Sequence, residues 1–386
     1  MKIYSLLLVF LLAFTYKGVP QVRCGADRSE LYYSHLRHKN IAVVANAASV
    51  VGKVNVVDTL LNRKLKVEKI FCPEHGFRTF SEAGQILKNS IDSGTNLPVI
   101  SLYGKKKKPD PADLKDIDIV VFDLQDVGVR CYTYLSTLSY MMEACSRANI
   151  PLMVFDRPNP NGFYIDGPVM DSSQYSFVGL HPVPLVYGMT IGEYAKMVNE
   201  EGWLKGGMIC DLQVIPLENY THQTPYVLPV NPSPNLPNMN AVYLYPSLCL
   251  FEGTFMSVGR GTPYPFEIYG HPAFKGFSFE FYPQAGKGSS NPLYNGQLCR
   301  GIDLRDFYKT HPRLYGRINL TWLIMSYKTL GTDSRFFNDF FDHLAGTAEL
   351  RKQISEGKSE QEIRLTWQDG LDKFRAIRSK YLLYPE

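Results

Sequence analysis

Four short polar segments hold many of the side chains with the chemistry to act on a ligand, and each follows an apolar run. They are Asn46, then Glu74 and His75 within Pro73-Glu74-His75-Gly76, then Asp123, Gln125 and Asp126, then Arg157 and Asn159 within Asp156-Arg157-Pro158-Asn159-Pro160. A carboxyl such as Glu74, just past a buried strand and between a proline and a histidine, can be partly desolvated, which would suit it to give a proton to a leaving group. Its structural alternatives are a helix cap or an ion pair with Arg78, itself a candidate ligand-binding residue. Asp123 and Asp126 flank Gln125, and one of them can supply the second carboxylate of a glycosidase-type pair. Asp123 can equally be an inward-facing hydrogen-bond acceptor. Arg157 and Arg260 have Pro, Asn and Gly neighbours. A guanidinium in either place can fork onto a ligand carboxylate or fix its own loop through backbone carbonyls. Glu252 and Glu267 add acids from a Gly-rich stretch, and Asn235 adds an amide from Pro232-Ser233-Pro234-Asn235. Tyr132, Tyr134, Tyr187 and Phe266 can stack on a sugar ring or fill core.

Several chemistries are disfavoured. The eight histidines show neither HxH nor HExxH spacing, so no metal is expected. No GxSxG places a serine nucleophile. No GxGxxG follows the first strand, so no nucleotide cofactor is expected either. The net charge is +4 with both signs interspersed, unlike the one-sided basic face of a nucleic-acid binder. The densest basic patch, Lys105-Lys106-Lys107-Lys108, reads as a solvated loop, with attraction to an anionic polymer as the alternative. The seven cysteines have no CxxC spacing and stand mostly in apolar runs, which fits buried free thiols.

The elements that must position these residues alternate. Strands are expected at Ile41–Ala45, Val67–Cys72, Val99–Leu102, Ile117–Leu124, Pro151–Phe155 and Cys210–Ile215, and helices over Val56–Arg63, Thr133–Ala148 and Thr190–Glu201. Thr190 and Glu193 form a capping-box pattern. Continuous apolar strands between helices imply an α/β fold with a Rossmann-like parallel sheet, in which ligands bind beyond the strands' carboxyl ends. The four polar segments stand at such ends, which points to one shared site.

Residues 216–275 are rich in Pro, Asn, Tyr and Gly, and are expected to bridge two subdomains and line the cleft. A smaller mixed α+β part follows, with a strand near Phe277–Tyr282, helices at Leu304–Lys309 and Asn319–Leu330, and a final helix presenting Trp367, Leu371, Phe374 and Ile377 on one face. The expected organisation is a signal peptide within 1–23, a catalytic subdomain over 29–215 and a closing subdomain over 216–386. Lys2 followed by apolar Ile3–Phe14 reads as an export signal. No other stretch approaches the ~18 apolar residues of a spanning helix, so no transmembrane anchor is expected, and the protein is expected in the periplasm or secreted.

Taken together and in order, these segments resemble those of the NamZ-type exo-β-N-acetylmuramidases, long known as a domain of unknown function. Phe71 to Arg78 (FCPEHGFR), Ser101 to Gly104 (SLYG), Val121 to Tyr134 (VFDLQDVGVRCYTY) and Asp156 to Pro160 (DRPNP) match. So do Gly167-Pro168-Val169, Pro232 to Asn235, Glu252-Gly253-Thr254, Gly259 to Thr262 and Pro265-Phe266-Glu267. The likeness runs from about residue 35 to Leu383. One departure is Ala45-Asn46-Ala47-Ala48-Ser49, where members often read TNQTG; Asn46 is kept. The resemblance implies an active cleft between the two subdomains and release of non-reducing terminal β-1,4-linked N-acetylmuramic acid (MurNAc) from MurNAc-GlcNAc saccharides of peptidoglycan. It places the catalytic glutamate at Glu74. The stabilising partner can be Asp126, another carboxylate or the substrate's own acetamido group. The alternative is a non-catalytic periplasmic muropeptide-binding protein, which would need only the arginine and aromatic contacts.

Overall fold

A computed structural model describes residues 21–78, 88–286, 288–330 and 336–386. The expected signal segment lies outside the described residues up to position 20. Arg23, still within 1–23, pairs through its backbone with Glu218.

The organising element is a seven-stranded sheet. Its strands are β1 (Asn40–Ala45), β2 (Lys66–Cys72), β3 (Ser90–Ile91), β4 (Pro98–Ser101), β5 (Ile119–Asp123), β6 (Leu152–Phe155) and β7 (Leu212–Ile215). Their order is β7-β6-β5-β1-β2-β4-β3. All neighbours run parallel except the short edge strand β3. The alternation of side chains between two covered faces explains why the central strands β1, β5 and β6 are largely apolar. In β1, Ala42 and Val44 enter one core while Ile41, Val43 and Ala45 enter another. Helices α1 (Ser29–Leu36) and α2 (Val56–Asn62) supply Tyr32, Leu36 and Leu60 to the second core. Helices α3 (Tyr134–Ala148) and α4 (Ile191–Glu200) supply Leu138, Met142 and Val198 to the first. The capping box at α4 forms as read, with Thr190 accepting from the Glu193 backbone and Glu193 accepting from that of Thr190.

The Pro- and Gly-rich stretch carries more regular structure than its composition suggests. Helix α5 (Met239–Leu248) runs into a 3-10 turn at Cys249–Gly253, with Pro246 inside the helix. Ala241, Val242, Leu244, Tyr245 and Leu248 are all buried, so apolar residues occur on most sides and leave no 3.6-residue stripe to read. Beyond it, β8 (Ile268–His271), β9 (Phe279–Phe281) and β10 (Cys299–Asp303) form an antiparallel sheet ordered β8-β10-β9.

Arg130 ties the two parts together. It is buried, and its guanidinium donates to the carbonyls of Pro168 and Val183 at 3.0 and 2.7 Å and of Leu344 and Ala345 at 3.0 and 2.8 Å. Four carbonyl acceptors take up its two Nη groups and offset the cost of burying a cation, while Nε is left without a hydrogen-bond partner among the described residues. Gly346 must be glycine here, because its φ is +80° and a Cβ would fall 2.4 Å from the Arg130 Nη2. All seven cysteines are buried with free thiols. Among the described residues no helix is long and apolar enough to cross a membrane.

Candidate active site

A cavity of about 1140 Å³ lies where the carboxyl end of β2 faces the α5 region. Glu74 reaches it because Pro73 ends the strand and the chain then turns sharply: His75 and Gly76 have φ of +74° and +84°, and the Gly76 N–H closes the turn on the Pro73 carbonyl at 3.2 Å. A left-handed histidine costs roughly 1–3 kcal/mol, a strain that collects at functional sites. Phe266, on the far side of the cavity, is a second left-handed non-glycine, at φ +57°.

Glu74 is held from two directions. Thr133, which precedes α3, donates to its Oε2 at 3.3 Å. Tyr103, two residues beyond β4, is hydrogen-bonded to it, and burial and that carboxylate together push the Tyr103 pKa up. Asn46 lies behind this wall and donates to the Tyr134 hydroxyl at 2.8 Å, so it supports a cavity residue from the rear. The Tyr132 and Tyr134 rings meet edge-on at 4.7 Å, and the Tyr132 hydroxyl is fixed on the Pro232 carbonyl at 2.7 Å.

The opposite wall carries Arg260 and Glu252. Gly259 and Gly261 flank Arg260 in left-handed conformations, which bring its side chain back over the Phe266 ring, 5.1 Å from the centroid. Its Nη2 donates to Glu252 Oε1 at 2.5 Å. Burial works against the charge on Arg260, but the Glu252 carboxylate prevails and its pKa is raised. Asn235 completes this side, anchored by a 3.2 Å donation to the Gly288 carbonyl.

Of the candidates read from sequence, the cavity is lined by Glu74, His75, Asn235, Glu252 and Arg260, and by the candidate stacking rings Tyr132, Tyr134 and Phe266. The rest lie elsewhere, each for a visible reason. Arg157 is sealed against Asp123, its Nε and Nη2 donating to the two carboxylate oxygens at 2.5 and 2.8 Å, and Nη2 also reaches the Val50 carbonyl. Asp126 is buried, accepts from the Tyr187 hydroxyl and from the Gly128 N–H at 2.6 Å, and is pushed by burial up to about 7. Gln125 donates to the carbonyls of Asp126 and Pro158, and Asn159 to that of Met189. Arg78 turns away from Glu74 to Asp58 and Asp92. Glu267 accepts from the amides of Asn238 and Asn240. The four strand ends therefore do not open into one site: that of β2 does, that of β1 backs it, and those of β5 and β6 are struts within the fold. Tyr103, Thr133, Phe177 and Phe340 also line the cavity and were not singled out from sequence, and Lys107 joins them from the basic run. Tyr103 lies within the SLYG segment, and Lys107 within a run read as solvent-facing.

The chain matches the family model described as exo-beta-N-acetylmuramidase NamZ, N-terminal, over residues 41–240, and the corresponding C-terminal model over 243–384. It is 37% identical over 390 residues to the peptidoglycan beta-N-acetylmuramidase NamZ of Bacillus subtilis, covering 95% of this chain and 92% of that one. Two crystal structures of DUF1343 family proteins from Bacteroides fragilis share the fold. One has a TM-score of 0.88 at 45% identity and the other 0.76 at 26%, each covering 95% of this chain and 100% of its own.

Proposed function

The chain belongs to the NamZ family of exo-β-N-acetylmuramidases, and from that premise we propose how its cavity performs the reaction. The protein is a glycosidase acting on peptidoglycan. The finer reading is hydrolysis of the β-1,4 bond that joins a non-reducing terminal MurNAc to GlcNAc. Glu74 carries this reading: a carboxyl at the open end of β2, steadied by Thr133 and Tyr103 and lining a cavity large enough for a saccharide.

In this reading Glu74 gives its proton to the glycosidic oxygen as the bond to the anomeric carbon breaks. Positive charge then grows on the sugar, and Glu252 is the other carboxylate lining the cavity among the described residues. Arg260 commits one N–H to Glu252 and keeps donors for the 3-O-lactyl carboxylate that distinguishes MurNAc from GlcNAc. Arg157, the other arginine considered for that role, has its fork filled by Asp123.

The deciding experiment is Glu74→Gln on MurNAc-GlcNAc. The amide keeps size and hydrogen bonding but has no proton to give, so kcat should fall at least ~10²-fold with the fold intact. The loss should be smaller on a chromogenic glycoside with a good leaving group. Near-wild-type turnover of the disaccharide removes Glu74 from the chemistry. Digestion of a longer defined oligomer should release free MurNAc first; early internal disaccharides would mean endo cleavage. We also propose export, supported by Lys2 and the apolar Ile3–Phe14. Amino-terminal sequencing of the mature protein tests this, and an intact leader overturns it.

A further inference from the structure

The run Lys105 to Lys108 is not uniform in the fold. Lys106 pairs with Asp110 and Asp113 at 2.8 and 2.5 Å, and Lys108 pairs with Glu143. Lys107 has no carboxylate partner among the described residues. Its ammonium stands 4.6 Å from the centroid of the Phe177 ring, and both side chains line the cavity. Phe177 meets the ring of Tyr103 at 6.5 Å, and Tyr103 is hydrogen-bonded to Glu74. One wall thus leads from the proton donor to a free cation.

The direction of that wall follows from burial. Tyr132, Tyr134 and Phe266 are buried at the inner end, whereas Lys107 and Phe340 are exposed at the rim. An exo-acting pocket holds the terminal sugar at its closed end, and the rest of the chain leaves through the opening. The general acid stands at the junction, because the oxygen it protonates joins the two. A rim group connected through Tyr103 and Phe177 to that acid therefore faces the leaving side. Charge points the same way. Among the described residues, the acidic and basic groups lining the cavity, apart from His75, are Glu74, Glu252, Arg260 and Lys107. In this reading Arg260 serves Glu252 and the terminal sugar's lactyl group, so among the described residues Lys107 is the further cavity cation available to a second anion.

We propose that Lys107, with Phe177, forms a leaving-side subsite for a carboxylate carried by the next MurNAc down the chain. The inference rests on the exo-muramidase reading. The first leaving sugar, GlcNAc, is neutral, and the sugar after it is again acidic. Its carboxylate is either the lactyl group itself or belongs to an attached stem peptide. The enzyme would then prefer chains longer than a disaccharide for an electrostatic reason.

The test compares kcat/KM on MurNAc-GlcNAc with that on the peptide-free tetrasaccharide (MurNAc-GlcNAc)2, for wild type, Lys107→Met and Lys107→Glu. Lys107 is exposed, so both variants should fold. The tetrasaccharide-to-disaccharide ratio should fall about fivefold in Lys107→Met, the upper scale of a solvent-exposed ion pair. It should fall further in Lys107→Glu. Added salt should lower the wild-type ratio and leave that of Lys107→Met unchanged. A third substrate, the tetrasaccharide with a stem peptide on its second MurNAc, separates the two sources: a larger Lys107 effect there assigns the subsite to peptide carboxylates, and a smaller one to the lactyl group. An unchanged ratio in both variants overturns the proposal. So does a loss of discrimination between chromogenic MurNAc and GlcNAc glycosides, which would put Lys107 on the terminal sugar. Absence of MurNAc release by the wild type would instead strike the activity reading itself.

Discussion

Arg157 with Asp123, and Arg260 with Glu252, are the same two functional groups in different surroundings. In the first pair the side chains are 1% and 0% exposed, and two N–H donors meet the two oxygens of one carboxylate. In the second they are 27% and 25% exposed and share a single bond. A sealed bidentate pair has already been desolvated and leaves no cation for a ligand; it holds the ends of β5 and β6 in place. The open pair keeps capacity to bind. An arginine's neighbours in sequence therefore say less about its role than whether its fork is full.

The largest effect expected from this contrast is on stability. Asp123→Asn leaves a buried guanidinium without its counter-charge and should cost about 3–5 kcal/mol in urea unfolding. Glu252→Gln, at the half-buried pair that shares a single bond, should cost less, about 1 kcal/mol. Equal losses for the two variants would abolish the distinction between strut and site.

Next is selectivity. Lysine cannot reproduce the planar fork, so Arg260→Lys should weaken catalysis on MurNAc glycosides by about 1.5–3 kcal/mol while hardly affecting a GlcNAc analogue. The comparison of kcat/KM on the two glycosides reads this directly. Equal losses on both would make Arg260 a structural arginine like Arg157.

The smallest effect sharpens the view of the buried strand ends. Burial pushes Asp126 and Asp156 up to about 7, from an ordinary value of 3.8. Between those values the folded protein retains protons that the unfolded chain has released. Their contribution is therefore fully present below about pH 4 and is lost as pH rises through about 7. Asp92, held low by Arg78, works in the opposite sense and only as pH falls below its ordinary 3.8. His181, pushed by burial from 6.5 down to about 4, works in the opposite sense up to about pH 6.5. The test is therefore a difference: across a Tm series from pH 5 to 8, Asp126→Asn should remove part of the wild type's downward slope. An unaltered slope would mean that Asp126 is already ionised in the fold.

Much of the frame was legible because it depends on neighbours along the chain. Ile41–Ala45 and Ile119–Phe122 are apolar at every position, which suits strands covered on both faces, and Thr190 with Glu193, three residues apart, announces the start of a helix. Glu74 was legible too, as an acid directly past such a strand. Helix α5 was not, because apolar residues on most sides erase the periodicity that would mark it.

Sequence alone determined the order of the parallel strands and the candidate acid. Tertiary structure decided which polar strand end opens to solvent, which arginine keeps a free donor, and which lysine of four reaches the cavity. Those outcomes depend on partners such as Glu74 and Thr133, or Lys108 and Glu143, that are distant in the chain and meet only in the fold. Burial and hydrogen-bond saturation arise from that meeting, and they decide whether identical side chains serve as struts or as a binding surface.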